Sequence, residues 1–336
     1  PTTTLARIPQ ALPIVADPWE WEKLADVEHL DGVRYNGTYL VYEDPDRGSI
    51  VATRDGEIVV QHEPVDDQEW IVQDAELGDR WLAIVENTEA AGPDRTRLVV
   101  YDLAVGAISH DEIFTEEDGR LPIPHVSVSG RTMAIAGTPP DLNCITILDL
   151  VSLQPYDEIC AEAPVFFVEI DGPYFGLDTR QPGCSAAWTG ALYERGNDLQ
   201  QHTNRECWSN GPVGGDRISV WFESQPGQVG IDQMIGEDQS GVIVNLGRGD
   251  NGTLEVCWNR AFWLSGEHDV RTWGGGSSVM TVFDDEQNAY HLGCVGPWVT
   301  FATPDAIYTA NMFTGSGSDA CSLAEDATPA EMNDLA

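Results

Sequence analysis

One short stretch of the sequence concentrates side chains that bind polar ligands. Its members are Glu267, His268, Asp269, Arg271 and Trp273, followed by three consecutive glycines. An indole ring beside a guanidinium group offers a flat apolar surface and directed hydrogen-bond donors, which suits stacking on a sugar ring or holding a peptide. The stretch therefore predicts a ligand-binding site formed by His268, Asp269, Arg271 and Trp273.

The other reactive residue types give no sign of a catalytic or metal centre. The seven histidines are dispersed along the chain, and no HExxH, GxSxG or P-loop motif is present. Carboxylates at residues 44–46 and 284–286 would offer oxygen ligands to Ca²⁺, but the spacing of an EF-hand is absent. We therefore predict no resident metal or cofactor, with Ca²⁺ as the one cation considered, and assign no catalytic residue.

The charge balance argues against nucleic acid as a partner. Asp and Glu number 56 against 17 Lys and Arg, which gives a formal net charge of −39. Such a surface repels phosphate backbones, and it disfavours anionic membranes for the same reason. No apolar run approaches the ~18 residues that a membrane span needs. The acidity indicates a solubilising surface, with a surface for cations or basic partners as the alternative.

The cysteines indicate an oxidising compartment. All seven follow residue 143, and none forms a CxxC pair, so a zinc ribbon or thioredoxin-type site is not expected. Scattered cysteines in a strand-rich chain are typical of disulfides. Cys144 and Cys160 flank a predicted hairpin centred near Ser152, and we expect them to pair. The sequence thus predicts a secreted protein, extracellular or periplasmic, with one cysteine left over.

A sevenfold repeat predicts the fold. A Gly, Asp or Asn, a variable residue and about four strand-forming residues recur at successive spacings of 42, 51, 42, 44, 43 and 37 residues. The repeats begin at Gly37, Asp79, Gly130, Gly172, Asp216, Asn259 and Gly296. A period of about 40–45 residues is that of a propeller blade. We therefore predict an all-β fold, a seven-bladed β-propeller of four-stranded antiparallel blades, with a β-sandwich as the alternative.

The chain ends predict how the ring closes. After Ala310 the last repeat runs into a Gly- and Ser-rich segment that is unsuited to an outer strand. The apolar segment Ile8–Ala16 precedes the first repeat and is expected to supply this strand. The predicted organisation is a closing segment for blade seven at 1–17, the propeller at 18–315 and an acidic tail at 316–336.

Loop lengths place the predicted ligand site on two neighbouring blades. The loop between the second and third strands of a blade opens on the face that carries the blade-to-blade connections. Most of these loops are predicted to be short, but blade five has one at 223–241 and blade six at 265–277. Loops longer than about 12 residues in a compact domain tend to be functional. Asp232 and Gln233 of the blade-five loop therefore join the predicted site.

Two repeats resemble a known repeat class. The segments GDRWLAI from Gly78 and GDRISVW from Gly215 look like the second-strand signature of periplasmic TolB-type repeats. The chain therefore resembles the superfamily of TolB-like and WD40-like repeat propellers, although the Gly-His and Trp-Asp dipeptides of WD40 repeats are absent. The resemblance implies the architecture, and a fold by itself implies no function.

Together these features favour a non-enzymatic extracellular or periplasmic module that binds a protein or glycan partner through one propeller face. Two alternatives remain. One is a structural subunit of a larger cell-surface assembly. The other is a propeller enzyme, a hydrolase or lyase acting on glycans, which would need carboxylates or histidines that converge at the axial mouth.

Overall fold

The structure is a computed structural model. It describes residues 10–26, 31–44, 48–64, 70–88, 95–115, 125–137, 143–172, 174–181, 184–191, 200–201, 209–214, 217–224, 232–250, 253–284 and 288–313.

The described residues form twenty-nine strands. Two precede the repeats: β1 (Ile14–Ala16) and β2 (Glu22–Asp26). Blade one contains β3 (Asp31–Tyr35), β4 (Tyr39–Asp44), β5 (Ser49–Arg54) and β6 (Glu57–His62). Blade two contains β7 (Trp70–Leu77), β8 (Trp81–Thr88), β9 (Arg95–Asp102) and β10 (Ala107–Thr115). Blade three contains β11 (Val126–Ser129), β12 (Thr132–Ala136), β13 (Cys144–Asp149) and β14 (Gln154–Cys160).

The remaining strands continue the same order. Blade four contains β15 (Val165–Asp171), β16 (Tyr174–Gln181), β17 (Cys184–Ala191) and β18 (Gln200–Gln201). Blade five contains β19 (Ser209–Gly214), β20 (Ile218–Ser224), β21 (Asp232–Asp238) and β22 (Ile243–Arg248). Blade six contains β23 (Glu255–Cys257), β24 (Arg260–Leu264), β25 (Val270–Trp273) and β26 (Val279–Phe283). Blade seven contains β27 (Tyr290–Val295), β28 (Trp298–Ala302) and β29 (Ala306–Asn311).

The described strands pair into seven sheets of a β-propeller. Six sheets are four-stranded and antiparallel. In five of them the strands follow sequence order, and in blade seven β2 pairs with β29 as the fourth strand. Blade six has five strands because β1 adds to β26 in parallel. The prediction of four-stranded antiparallel blades is therefore confirmed, and blade six carries β1 as an additional edge strand.

The hydrophobic core lies between neighbouring blades. Successive side chains of a strand point to opposite faces of its sheet, so each central strand serves two interfaces. Leu82 and Ile84 of β8 pack in the cluster shared with blade one, whereas Ala83 and Val85 pack against blade three. The central strands are consequently buried on both faces, and β8 is buried at seven of its eight positions. Outer strands such as β10 are mostly exposed.

The acidic residue that ends several third strands has a structural role. Asp102, Asp149 and Asp238 each accept hydrogen bonds from backbone amides of the following turn through Oδ1. This Asx geometry holds the turn that leads into the outer strand. In blades two and three the same carboxylate also pairs with an arginine of the preceding turn, Arg80 at 3.1 Å and Arg131 at 2.8 Å.

The ring closes through the N-terminal part of the chain, but not through the predicted segment. Strand β2 forms the outer strand of blade seven, with Glu22 opposite Thr309 and Asp26 opposite Ala306. The predicted segment, of which residues 10–16 are described, instead contributes β1 to the edge of blade six. Between the two strands Trp19 is buried among blades six and seven, and Trp21 packs against the same cluster. Indole burial fixes which segment reaches blade seven.

Blade six differs from its predicted layout. The segment 265–277 was expected to be one loop, yet it contains β25, the third strand of the sheet, which pairs with β24 and β26. Val279–Phe283 is therefore the fourth strand and not the third. In blade five, strands extend to Ser224 and resume at Asp232, so much of the predicted loop at 223–241 is also strand.

Two cysteine pairs lie at disulfide distance. Cys144 and Cys160 are directly opposite on β13 and β14 with sulfurs 2.02 Å apart, which confirms the predicted pair. Cys257 and Cys294, which the sequence did not suggest, join the innermost strands of blades six and seven. The described part of the chain holds no helix with the length and apolarity needed to cross a bilayer.

Candidate functional site in the axial channel

The first strand of each blade lies next to the propeller axis. Along the ring β3 contacts β7, and the contacts continue through β11, β15, β19 and β23 to β27, which contacts β3 again. Seven first strands therefore enclose an axial channel. The described side chains on their inward face come together at the axis, so this channel is the natural place to look for a site.

Each first strand ends at a tight turn, and residues at the same distance before this turn lie in one layer of the channel. The last residue before the turn is Asn36, Gly78, Ser129, Asp171, Cys257 or Val295. Because strand side chains alternate, the residue two positions earlier shares its face. These residues form what we call the axial ring: Arg34, Glu76, Ser127, Glu169, Glu255 and Gly293. The blade-five member lies among residues whose side chains are not described.

Arg34 joins four blades at the axial ring. Its guanidinium donates a hydrogen bond to Glu76 of blade two, and Nη1 lies 3.6 Å from Oε1 of Glu255 in blade six. Gly293 of blade seven makes this reach feasible. A Cβ atom there would lie 2.5 Å from the carbonyl oxygen of Val33 and 3.1 Å from Nη1 of Arg34. The glycine is therefore required by the close approach of the arginine.

Glu169 interacts with Arg34 through charge alone, without a close ion pair in the described structure. No hydrogen bond or ion pair to its side chain occurs in the described structure, whereas Glu76 and Glu255 share Arg34. Burial, followed by the charges of the other two glutamates, raises the pKa of Glu169 well above its ordinary value. Burial likewise raises the pKa of Glu255 to about 8, although Arg34 opposes the shift, and it raises the pKa of Glu76.

A second layer lies two residues nearer the start of the strands. Nε2 of His125 is 3.3 Å from Oδ2 of Asp74, and the imidazole packs on Phe167 with ring centroids 4.5 Å apart. Burial lowers the pKa of His125 to about 4, so the ring is neutral near pH 7. Burial raises the pKa of Asp74 to about 6 against the opposing charge of Arg34. Asp74 also accepts hydrogen bonds from the backbone amides of Ala75 and Val126, and His125 forms a hydrogen bond with the backbone of Val168.

Asp171 stands at the end of its strand, beside the turns. It accepts hydrogen bonds from the backbone amides of Trp258 and Asn259 of blade six. Both residues have positive φ, 49° and 62°, so the turn directs two consecutive amides to one side, an arrangement that suits an anion. Burial nevertheless raises the pKa of Asp171 to about 7.

Trp273 cannot be the predicted ligand anchor. Its side chain is fully buried in the core shared by blades five and six, where its ring covers Gly236. The cause is the position of Trp273 in strand β25 and not in a loop. A Cβ atom on Gly236 would lie 2.6 Å from the indole, which shows how closely the two sheets approach.

The other predicted ligand residues of blade six form a small surface group. Arg271 is half-buried, and its Nη2 lies 3.4 Å from Oδ2 of Asp269. Asp269 in turn accepts a hydrogen bond from Ser265 Oγ at 3.2 Å. His268 is exposed and has a positive φ of 65°. These side chains lie together, but without the tryptophan they lack an apolar platform.

The blade-five residues of the predicted site belong to strand β21. Gln233 donates hydrogen bonds to Oδ1 of Asn245 at 2.6 Å and to the carbonyl oxygen of Gly247 at 3.2 Å, both on the neighbouring β22. Gln233 therefore holds its own sheet together. Asp232 begins the strand opposite Ser224, and its side chain is outside the described structure. No contact joins these two residues to the blade-six group in the described part.

The carboxylates considered for Ca²⁺ are only partly described. Residues 45–47 and 285–287 lie outside the described ranges, so both predicted positions are incomplete. Within the described residues one group of metal-type ligand atoms converges, formed by Cys144, Glu158 and Cys160. Both of its sulfurs belong to the disulfide, and a disulfide sulfur is not the thiolate that binds metals.

The sequence contains a signal for the axial ring that lies in the repeat alignment and in no motif. Arg34, Glu76, Ser127 and Glu169 each stand three residues before the first residue of their repeat. Aligning the repeats would therefore have placed them in one layer. Glu255 escapes this alignment because the predicted sixth repeat begins at Asn259, one residue after Trp258, which is the true equivalent of Gly130.

Comparison with known proteins supports the fold. No protein-family model matches the chain, and no curated protein matches its sequence. Among solved structures, the chain is similar to the Pan2 WD40 domain of Neurospora crassa, with a TM-score of 0.55 and 9% identity over 89% of this chain and 97% of that one. The β-propeller domain of the Trilobed protease from Pyrococcus furiosus gives a TM-score of 0.55 and 10% identity, with 84% and 95% coverage.

A third similar structure is the Dos1 propeller, with a TM-score of 0.52 and 10% identity over 84% of this chain and 78% of that one. These likenesses confirm the resemblance to WD40-like and other repeat propellers. At such low identity they describe the architecture alone.

Proposed function

We propose that this propeller is a non-enzymatic binding module for a protein partner that presents basic groups to the axial channel. The observation that carries the proposal is the axial ring, whose described residues place three glutamates around one arginine. Buried carboxylates without a counter-charge are costly, and a cationic partner relieves that cost. The net charge of −39 would also steer a basic partner to the surface at long range.

The burial of Trp273, the predicted sugar-stacking residue, favours a protein partner over a glycan. Stacking on a neutral sugar needs an exposed aromatic face, and Trp273 is buried. Carboxylates in a narrow channel instead suit the ammonium or guanidinium end of a long side chain. The partner would therefore dock on one face and insert a basic residue toward the ring.

Two cysteine pairs at disulfide distance support a site of action outside the reducing cytosol. We therefore propose an extracellular or periplasmic location. The same location suits a structural subunit of a cell-surface assembly, and a partner of fixed stoichiometry that stays bound at high salt would identify that role.

An enzyme acting on glycans is the second candidate, and one observation favours it. Burial raises the pKa of Asp171 to about 7 and that of Glu255 to about 8, which is the range of a general acid at neutral pH. An enzyme of this kind would turn over a panel of chromogenic glycosides and would lose the activity in Glu255→Gln.

The test of the binding function uses the full chain to recover and measure its partner. Chemical cross-linking in the native secretions, followed by measurement with the purified partner, should give a Kd that weakens steeply with added salt. Glu169→Gln should weaken the complex at least tenfold, and Glu158→Gln, at an exposed site on β14, should leave it unchanged. Equal affinity in both variants would place the interface away from the channel.

A further inference from the structure

The hairpin of strands β13 and β14 brings two cysteines and a glutamate together on the rim of blade three. Cys144 and Cys160 lie directly opposite each other, with their Cα atoms 4.0 Å apart. Glu158 precedes Cys160 by two positions and therefore shares its face of β14. One carboxylate oxygen and the two sulfurs all lie within 4.8 Å of one another. Within the described part of the chain no other set of three His, Cys, Asp or Glu ligand atoms converges in this way.

The hairpin is held in place by contacts other than the disulfide. Ile145 and Ile159 form the next cross-strand pair, and their side chains are buried in the core shared with blade four. On the other side of the cysteine pair, the backbone amide of Ala161 donates to the carbonyl oxygen of Asn143 at 2.8 Å. Because these contacts fix the register of both strands, opening the S–S bond would leave the sulfurs and the carboxylate close to their present positions.

The disulfide can be reached from solvent through one of its two sulfur-bearing residues. Cys160 is exposed on β14, the outermost strand of its blade, whereas Cys144 is buried. A thiolate of an external dithiol can therefore attack Sγ of Cys160, form a mixed disulfide and release Cys144 as a thiolate. The second thiol of the reductant then displaces Cys160. Two electrons pass to the protein, the dithiol becomes a disulfide, and both cysteines become thiols.

The reduced hairpin offers the ligand set of a soft or borderline metal ion. Zn²⁺ binds cysteine sulfur at about 2.3 Å and carboxylate oxygen at about 2.0–2.2 Å, so two sulfurs on one ion are at most about 4.6 Å apart. The three ligand atoms are close enough to meet this limit after small side-chain rotations. Thiolates favour Zn²⁺ over hard cations such as Ca²⁺ and Mg²⁺. The exposure of Glu158 and Cys160 leaves room for a water molecule as the fourth ligand.

We propose that reduction of the Cys144–Cys160 disulfide converts this hairpin into a Zn²⁺ site whose protein ligands are Cys144, Cys160 and Glu158. On binding, Zn²⁺ replaces one proton on each thiol, and two protons are released. With the disulfide closed the sulfurs are no longer ligands, so blade three couples metal binding to the redox state of its surroundings. The site lies outside the axial channel and does not depend on the proposed binding function.

The experiment measures Zn²⁺ binding to the full chain by competition with a chromophoric chelator, before and after anaerobic reduction with a water-soluble phosphine. The reduced chain should gain a Zn²⁺ site that the oxidised chain lacks. The Cys144→Ser, Cys160→Ser double variant should lose this site, whereas Cys257→Ser, Cys294→Ser, which removes the other pair, should keep it. Co²⁺ used as the probe should give a thiolate-to-metal charge-transfer absorption that depends on the same two cysteines.

The part played by the glutamate is tested separately. Glu158→Gln should weaken Zn²⁺ binding to the reduced chain at least tenfold, because loss of a mere hydrogen-bond partner of a metal ligand already costs about 10–100-fold in affinity. Glu57→Gln, which changes an exposed carboxylate on the outer strand of blade one, is the matched control and should leave the affinity unchanged. Millimolar Ca²⁺ should not displace the bound Zn²⁺.

Three outcomes would overturn the proposal. They are equal Zn²⁺ binding by the oxidised and reduced chains, a reduced Cys144→Ser, Cys160→Ser variant that keeps the site, and equal affinity in Glu158→Gln and Glu57→Gln. Thermal unfolding of the reduced chain distinguishes a folded site from the free thiols of an unfolded chain, since a ligand that binds only the folded state raises the melting temperature. A melting temperature that Zn²⁺ lowers or leaves unchanged would reject the site as well.

Discussion

Arg34 and Glu76 form an ion pair across the first two blades, and they are separated by 42 residues, one repeat of the sequence. The same separation recurs in other contacts between blades. Nδ2 of Asn36 donates to the carbonyl oxygen of Gly78 at 2.7 Å, 42 residues away. The backbone amide of Ile170 donates to Ser127 Oγ at 3.0 Å, 43 residues away. Repeat length in the sequence thus becomes contact between equivalent positions of neighbouring blades.

Removal of the N-terminal strands should separate two contributions to ring closure. Deletion of residues 1–17 removes β1, whose three residues are exposed and bury little apolar area, and we expect the melting temperature to fall by a few degrees. Deletion of residues 1–26 also removes β2, Trp19 and Trp21. It should open blade seven and lower the melting temperature by far more than the shorter deletion. Equal effects in calorimetry would show that β2 does not close the ring.

Trp273→Ala should destabilise the fold without acting on a ligand surface. The fully buried indole leaves a large cavity between blades five and six, which costs about 3–5 kcal/mol of unfolding free energy. Arg271→Ala, two residues away and half-buried, should cost less than about 1 kcal/mol. Urea unfolding of both variants measures the difference. A stable Trp273→Ala protein would contradict the placement of the side chain in the core.

Stability should decline as the pH rises from about 5 to 8. Burial raises the pKa of Asp74 to about 6, of Asp171 to about 7 and of Glu255 to about 8, so the folded state binds protons more tightly than the unfolded state. Their stabilisation is complete below the ordinary carboxyl pKa and is lost as the pH rises through these values, at about 1.4 kcal/mol per pH unit for each retained proton. Burial lowers the pKa of His125 to about 4, so its contribution to stability is instead lost as the pH falls from 6.5 to 4.

The three carboxyl groups outweigh the single imidazole, so stability should fall throughout this range, and urea unfolding at intervals between pH 5 and 8.5 measures the curve. Glu255→Gln should flatten the alkaline side, because the amide does not titrate. Glu158→Gln serves as the control, since this exposed carboxylate is remote from the channel. A wild-type curve that is flat or rises above pH 6.5 would contradict the buried state of these carboxylates.

The two cysteine pairs should stabilise the chain to different degrees. Non-reducing mass mapping is expected to find both, with sequence separations of 16 for Cys144–Cys160 and 37 for Cys257–Cys294. Closing the longer loop removes more chain entropy from the unfolded state, by about 0.7 kcal/mol in the loop-entropy relation. The Cys257→Ser, Cys294→Ser double variant should therefore unfold at lower urea concentration than Cys144→Ser, Cys160→Ser. The reverse order would show that native-state contacts outweigh loop length here.

Local patterns in the sequence were enough to predict much of the architecture. The repeat starts mark turns, and the apolar runs that follow them mark strands buried on two faces, so the all-β propeller and its blade order followed from the period. The hairpin between Cys144 and Cys160 was predictable for the same reason, because a turn signal and two flanking strands fix the register over a short distance.

The features that the sequence did not determine depend on distant parts of the chain. The sequence predicts a loop at Trp273 because the short strand β25 carries little pattern of its own and becomes a strand only by pairing with β24 and β26. The choice of β2 over β1 to complete blade seven depends on where Trp19 is buried among residues about 240–290 positions later.

The axial ring is decided in the same way, by closure of the ring. Arg34, Glu76 and Glu255 carry no motif along the chain, and each would be read as an ordinary charged residue of an acidic protein. Their strands enclose one axis only when β27 contacts β3. Burial then raises the pKa values of the two glutamates and strengthens their interaction with Arg34 relative to water. Repeat period and strand pattern belong to the sequence, whereas the meeting of these side chains, and the chemistry that follows from it, belongs to the tertiary structure.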